Sequence, residues 1–248
     1  MSREEPGSPE ERFEVNYCLP APPPPGAVSL TAEEAEERLL AEVNSEAQSG
    51  SAIKAMWNLA NFYKATHQVE KAEDAVRNLL SRVPEVENRA YLVMSLGQLA
   101  EMTKHFDLAV CFYKEGVSME PCSQFTWYFL HNNLGYSLNQ LGRFEEGELY
   151  CRRAIEITPR PPNGHKNLGL ALQGQGKNAD AAHCFVTATQ ANASDGRSAK
   201  HLEELIRQHP ELAFEFGPLL EKCRAGIEGV QLEIQKHLQQ PPPEPPAK

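Results

Sequence analysis

Between about residue 52 and residue 193, small and apolar positions return along the chain at fixed helical offsets, with polar positions between them. Each cycle opens on a Leu followed by a small residue: Leu59-Ala60, Leu96-Gly97, Leu134-Gly135 and Leu168-Gly169. Thirteen residues after each Leu stands Ala72, Ala109, Gly147 or Ala181; four further on stands Val76, Tyr113, Cys151 or Phe185; three beyond that stands Leu79, Gly116, Ala154 or Ala188. Pro84, Pro121 and Pro159 close three of the cycles, and Ala193 holds that slot in the fourth. Offsets of three and four place these residues on one face of a helix. Two such faces per cycle predict a pair of helices, and repetition predicts an all-α stack in which each pair is buried against its neighbours. The Leu occupies the buried face of a first helix, and the small residues let a second helix come close. Each Pro, lacking an N–H and clashing with the preceding turn, ends the second helix.

These residues resemble the tetratricopeptide repeat (TPR) family. The third cycle carries the likeness best, with Asn133-Leu134-Gly135-Tyr136, Leu141-Gly142-Arg143-Phe144, Ala154-Ile155-Glu156 and Pro159; the fourth follows with Asn167-Leu168-Gly169-Leu170, Gly174-Gln175-Gly176, Ala181 and Ala188. The resemblance implies a right-handed superhelical stack of antiparallel helix pairs over residues 51–193, a TPR-like solenoid whose first helices line a concave groove. The anchors are spaced by 37, 38 and 34 residues, and 34 is the usual family period. The extra residues fall after Pro84 and Pro121, and lengthen the following first helix by about one turn. The second insert, Cys122–Leu130, holds Phe125, Trp127, Tyr128 and Phe129, read as packing between the second and third units, with a partner-facing aromatic ledge as the alternative.

The flanks differ in pattern. Residues 1–28 and 241–248 are Pro-rich and without helical period, and read as disordered tails. Residues 29–50 read as a capping helix. Thr31 and Glu34 form a capping-box pattern, and Ala35, Leu39, Val43 and Ala47 form an apolar stripe. Residues 194–240 read as C-terminal helices, the last running from about Pro218 to Leu238 with Leu219, Cys223, Ile227, Val230, Ile234 and Leu238 on one face. This helix caps the last unit; pairing with a partner or with a second copy of the chain is the alternative.

Charge and chemistry narrow the function. The balance of 24 basic and 34 acidic residues gives a net charge of −10. With no basic stripe, that argues against nucleic acid and anionic membrane surfaces as partners. No apolar run approaches the ~20 residues of a membrane span, and the N-terminus lacks a signal-peptide core, so a cytoplasmic protein is expected. The six cysteines, Cys18, Cys111, Cys122, Cys151, Cys184 and Cys223, show no CxxC pair and no zinc-ligand spacing, and read as free, buried thiols. No nucleophile–base arrangement, metal motif or phosphate-binding loop is present, so no enzymatic activity, cofactor or metal is expected.

Recognition of a protein or peptide remains. The residues before the anchors, Asn58, Ser95, Asn133 and Asn167, occupy equivalent positions. A carboxamide both donates and accepts, which suits the backbone of an extended peptide; the resemblance implies such an asparagine ladder, while a local structural role for these amides is the alternative. Neighbouring groove candidates are Lys54, Trp57, Asn61, Tyr91, Gln98, Asn132, Tyr136, Asn163, Lys166 and Gln173. The basic residue that carboxylate-clamping family members carry on the third unit is replaced by Phe129 and Asn133, which argues against that form of recognition. A non-catalytic adaptor with an Asn-lined groove is therefore the leading reading, and a structural subunit using its convex face or C-terminal helix the alternative.

Overall fold

The computed structural model describes residues 31–46, 52–159 and 161–239. These residues form eleven α-helices: α1 (Ala32–Glu46), α2 (Ala52–Ala65), α3 (Val69–Leu80), α4 (Val86–Met102), α5 (Phe106–Ser118), α6 (Gln124–Gln140), α7 (Phe144–Ile157), α8 (Pro162–Gly174), α9 (Asn178–Ala191), α10 (Arg197–Gln208) and α11 (Ala213–Gln239). The strongest packing lies within the pairs α2/α3, α4/α5, α6/α7 and α8/α9, and each second helix also packs on the next first helix. The fold is an all-helical stack of pairs. The Pro-rich tails expected at 1–28 and 241–248 lie outside the described residues.

Close approach at the repeated small positions makes this possible. A Cβ on Gly97 would run into the Tyr113 ring, and one on Gly169 would stand 2.6 Å from the Phe185 ring. At the third pair, a Cβ on Gly135 would stand 2.5 Å from Cys151 Sγ. In these three units the larger residue of the second helix fills the space left by the glycine of the first. Tyr113, Cys151 and Phe185 are fully buried as a result. The inserts extend α4 and α6 at their N-termini, so that ten residues precede the anchor Leu in each. The aromatic insert packs. Tyr128 is buried and its hydroxyl accepts from the Gly164 N–H at 3.0 Å, while Phe125 and Phe129 lie against the core. The second helices end at Leu80, Ser118 and Ile157, ahead of Pro84, Pro121 and Pro159, so each Pro holds the connecting segment rather than the last helical turn.

The turn between the helices of a pair requires a left-handed residue. Gly142 (φ 72°) and Gly176 (φ 76°) supply it in the third and fourth units; His67 (φ 58°) and Lys104 (φ 61°) take the same place in the first two. Glycine adopts this conformation without a Cβ penalty and the other residues do not.

At the N-terminal end, the capping box forms: Glu34 N donates to Thr31 Oγ1 at 3.2 Å and Thr31 N to Glu34 Oε2 at 2.7 Å. Leu39 and Val43 pack on the core of the first units. At the other end, the expected helix start at Pro218 is corrected. α11 begins at Ala213 and runs through Pro218. Phe216, Leu220 and Cys223 are buried, with Ile227 packed beside them on the same face. Keeping these four in phase against α9 and α10 outweighs the single backbone hydrogen bond that Pro218 removes. The reading of the cysteines as buried is also corrected. Cys151 and Cys223 are buried and Cys184 partly so, but Cys111 and Cys122 are exposed, because they lie on helix and loop faces that no neighbour covers. Cys18 lies outside the described residues.

Candidate functional site: the face of the first helices

The first helices make contact with one another along one side of the stack, α4 with α6 and α6 with α8, whereas the second helices make no comparable contacts among themselves. The anchor leucines on these helices point into the core, and residues one or two before and two, three or five after each anchor reach the shared side. There they join neighbouring units through polar rungs. Lys64 Nζ donates to Gln98 Oε1, linking α2 to α4. Ser137 Oγ donates to Glu101 Oε1 at 2.7 Å, linking α4 to α6. Asn167 Nδ2 donates to Asn132 Oδ1 at 3.1 Å, linking α6 to α8, and Asn139 Nδ2 donates to the Asn167 carbonyl at 2.8 Å.

The groove candidates divide by exposure. Lys54, Asn58 and Asn61 are exposed on α2. Gln98, Asn133, Tyr136, Asn163, Lys166 and Gln173 are half-buried. Trp57, Tyr91, Ser95, Asn132 and Asn167 are buried, Asn167 at 3 % exposure. The four residues before the anchors thus do not form one uniform open row: Asn58 is open to solvent, Asn133 accepts from Asn132 Nδ2 at 2.9 Å, and Asn167 is spent inside the stack. α6 and α8 meet closely there, whereas α2 and α4 stand further apart.

Between α2 and α4 lies a shallow recess: about 270 Å³ of empty space that includes open solvent, with enclosed room for about one water molecule. Trp57 and Tyr91 stack along it with ring centroids 5.0 Å apart. Asn61, Lys64 and Ser95 line it with polar atoms, above a floor that includes Val76 and Leu79.

Sequence reasoning missed the charges beside this recess. Lys64 and Glu101 are both largely desolvated. Burial lowers the Lys64 ammonium to about 8, the nearby Glu101 carboxylate opposing the shift. Burial raises Glu101 to about 7, against the hydrogen bond from Ser137, the nearby Tyr113 hydroxyl and the field of Lys64. The Tyr113 hydroxyl is turned toward Glu101 and Asn133 but closes no hydrogen bond, and burial raises its pKa. The available signal was the offset of five from the anchor, which selects Lys64, Glu101, Asn139 and Gln173. At the far end, burial and then Arg197 lower Lys166. Among the described residues no three His, Cys, Asp or Glu side chains gather as a metal site, and no helix is long and apolar enough to cross a membrane.

A tetratricopeptide repeat model matches residues 130–161, the unit α6/α7. Human tetratricopeptide repeat protein 7B is 28 % identical over 185 residues, covering 69 % of this chain and 21 % of that protein. Human tetratricopeptide repeat protein 7A is 32 % identical over 98 residues, 40 % of this chain and 11 % of its own length. The chain thus spans about a fifth or less of these relatives. Among solved structures, BtubC (BKLC) from P. vanneervenii superposes with a TM-score of 0.67 at 17 % identity, over 89 % of this chain and 98 % of its own. YrrB, described as a TPR protein with an unusual peptide-binding site, superposes at 0.54 and 18 % identity, over 70 % and 86 %. With four stacked helix pairs, three of them closed by the same small-for-large exchange, and with these likenesses, the chain is a tetratricopeptide repeat protein, distantly homologous to proteins 7A and 7B.

Proposed function

We propose that the chain is a non-catalytic protein–protein interaction scaffold that binds an extended segment of a partner along the face of its first helices. TPR domains generally serve as protein-interaction modules and are typically non-catalytic. The observation that carries the reading is the make-up of this face. Exposed Lys54, Asn58 and Asn61 and half-buried Gln98, Asn133, Tyr136, Asn163 and Lys166 offer donors and acceptors along it, and Asn61 lines a recess with Val76 and Leu79 at its apolar side. A peptide backbone needs both kinds of partner, and a side chain of that peptide needs an apolar pocket. In this reading Ser95, Asn132 and Asn167 position neighbouring helices, and the exposed amides meet the partner. YrrB is described with a peptide-binding site, and its likeness to this chain is one of fold. A cytoplasmic setting, in which the free thiols stay reduced, belongs to the same proposal.

The test is a pull-down from native lysate with the wild-type chain beside Asn58→Ala/Asn61→Ala and beside Asn133→Ala. A partner retained by the wild type and lost from the first variant, with its melting curve unchanged, is the expected result. One observation favours a second reading, a structural subunit assembling through α11. From Glu228 to Lys236 that helix is exposed but for the half-buried Val230, with Leu232 and Ile234 open to solvent. A partner, or a second copy of the chain, held equally by both amide variants but lost on deletion of residues 228–239 would establish that reading and overturn the first.

A further inference from the structure

We propose that Glu101, between Lys64 on α2 and Ser137 on α6, is a subsite for a cationic side chain, a guanidinium or ammonium, of the bound segment. The inference rests on the groove reading above and deepens it. Glu101 is half-buried on the shared side of the first helices, close to Lys64, which lines the recess. Ser137 engages Oε1 alone; among the described residues no donor closes on Oε2 and no cation forms an ion pair with the group. Lys64, the nearest cation, directs its ammonium to Gln98 Oε1 instead. A desolvated carboxylate whose nearest cation forms no ion pair with it is unfavourable, and a cation that approaches from the groove lowers that penalty.

Tyr113 supplies an independent observation. Its hydroxyl is fully buried, is turned toward Glu101, and has no hydrogen-bond partner. Buried hydroxyls are nearly always paired. The acceptor toward which it is turned is Glu101, which accepts more strongly when ionised, and a bound cation favours the ionised form. Tyr136 stands on the same side of α6, half-buried, with its ring edge-on to Phe106 at 6.1 Å, and offers a π face to a planar guanidinium. The titratable groups facing Glu101 are Lys64, Tyr113 and Tyr136. Of these only Lys64 opposes a second cation, and its ammonium is directed to Gln98 Oε1 rather than to the carboxylate.

The test uses a displayed library of random extended peptides selected on the full chain, then measured on Glu101→Gln, Tyr113→Phe and Asn58→Ala/Asn61→Ala after each variant is shown to melt cooperatively. Selected peptides should share an Arg or Lys at one position. Their affinity should fall about 10- to 30-fold on Glu101→Gln, the lower end for removing one partner of a hydrogen-bonded charge pair that water still reaches. It should also fall as the pH drops below about 7, where Glu101 takes up a proton. Tyr113→Phe should weaken the same peptides and leave neutral ones unaffected. Peptides that lose binding on Asn58→Ala/Asn61→Ala but carry no shared cation, or bind Glu101→Gln as well as the wild type, would overturn this subsite and leave the groove reading standing. Failure to select any peptide sensitive to either substitution would overturn both.

Discussion

Glu101 and Lys64 carry charge where water is scarce, and the sign of each effect on stability follows from that. The folded pKa of Glu101, about 7, lies above its ordinary 4.5. The folded chain therefore holds a proton that the unfolded chain has released between those values, and on this account stability falls as pH rises from about 4.5 to about 7. Lys64 is the mirror case. Its folded pKa of about 8 lies below 10.5, so its penalty is full below about pH 8 and fades between the two values. Glu101→Gln should stabilise the fold by on the order of 1–2 kcal/mol near pH 8 and by nothing measurable near pH 4. Urea melts at the two pH values test this, and an equal gain at both would contradict it. At the anchors the expectation is opposite. Gly169→Ala puts a methyl group 2.6 Å from the Phe185 ring and should cost about 1–3 kcal/mol through overpacking, read from the same melts. The anchor residues were legible because their partners lie within one unit at a fixed offset. Glu101 was not, because a single Glu on a helix reads as a solvated charge until α6 brings Ser137 against it.

Within the elements, the helix pairs followed from local pattern and the turn between them did not. His67 and Lys104 adopt the left-handed conformation that Gly142 and Gly176 adopt in the later units. The sequence marks only the two glycines, and equivalence of the other two turns emerges when the pairs are superposed on their anchors. Lys104→Gly should raise stability by about 0.5–1 kcal/mol, relief of backbone strain exceeding the added freedom of the unfolded chain. Gly142→Ala should lower it by a similar amount, although a Cβ there meets nothing within 4 Å. Thermal unfolding of the two variants checks both signs, and a loss on Lys104→Gly would show that its side chain contributes more than the strain it carries. Pro218 gives the reverse lesson. Locally it reads as a helix boundary, but Phe216 on one side of it and Leu220 on the other are buried against the same neighbours, and only those neighbours fix their common phase.

Over the whole molecule, stability is a chain of nearest-neighbour interfaces. Each helix packs on the ones beside it, and the buried apolar residues form two clusters, one from α2 to α6 and one from Cys151 on α7 through α11. In such a stack, loss of an end exposes the apolar face beneath it. Deletion of residues 228–239 removes mostly exposed surface and should leave the melting temperature within a few degrees of the full chain. Deletion from Ala213 onward uncovers the face buried by Phe216, Leu220 and Cys223 and should cost several kcal/mol. Calorimetry of the two truncations distinguishes an exposed extension from a required cap.

The repeated Leu-small anchors, their bulky complements and the flanking helix stripes determined by themselves that the chain is an all-helical stack of four pairs. Each of those contacts joins residues within one unit, and helical period alone sets which side chains share a face. The tertiary structure decided what the sequence leaves open: that Ser95, Asn132 and Asn167 are enclosed while Asn58 and Asn61 are open, that α2 and α4 stand apart around a recess, and that Glu101 and Lys64 lose water. The physical reason is separation along the chain. Burial of these polar groups depends on how closely one unit's first helix approaches the next, and that distance is set by packing summed over both units rather than by any residue beside them.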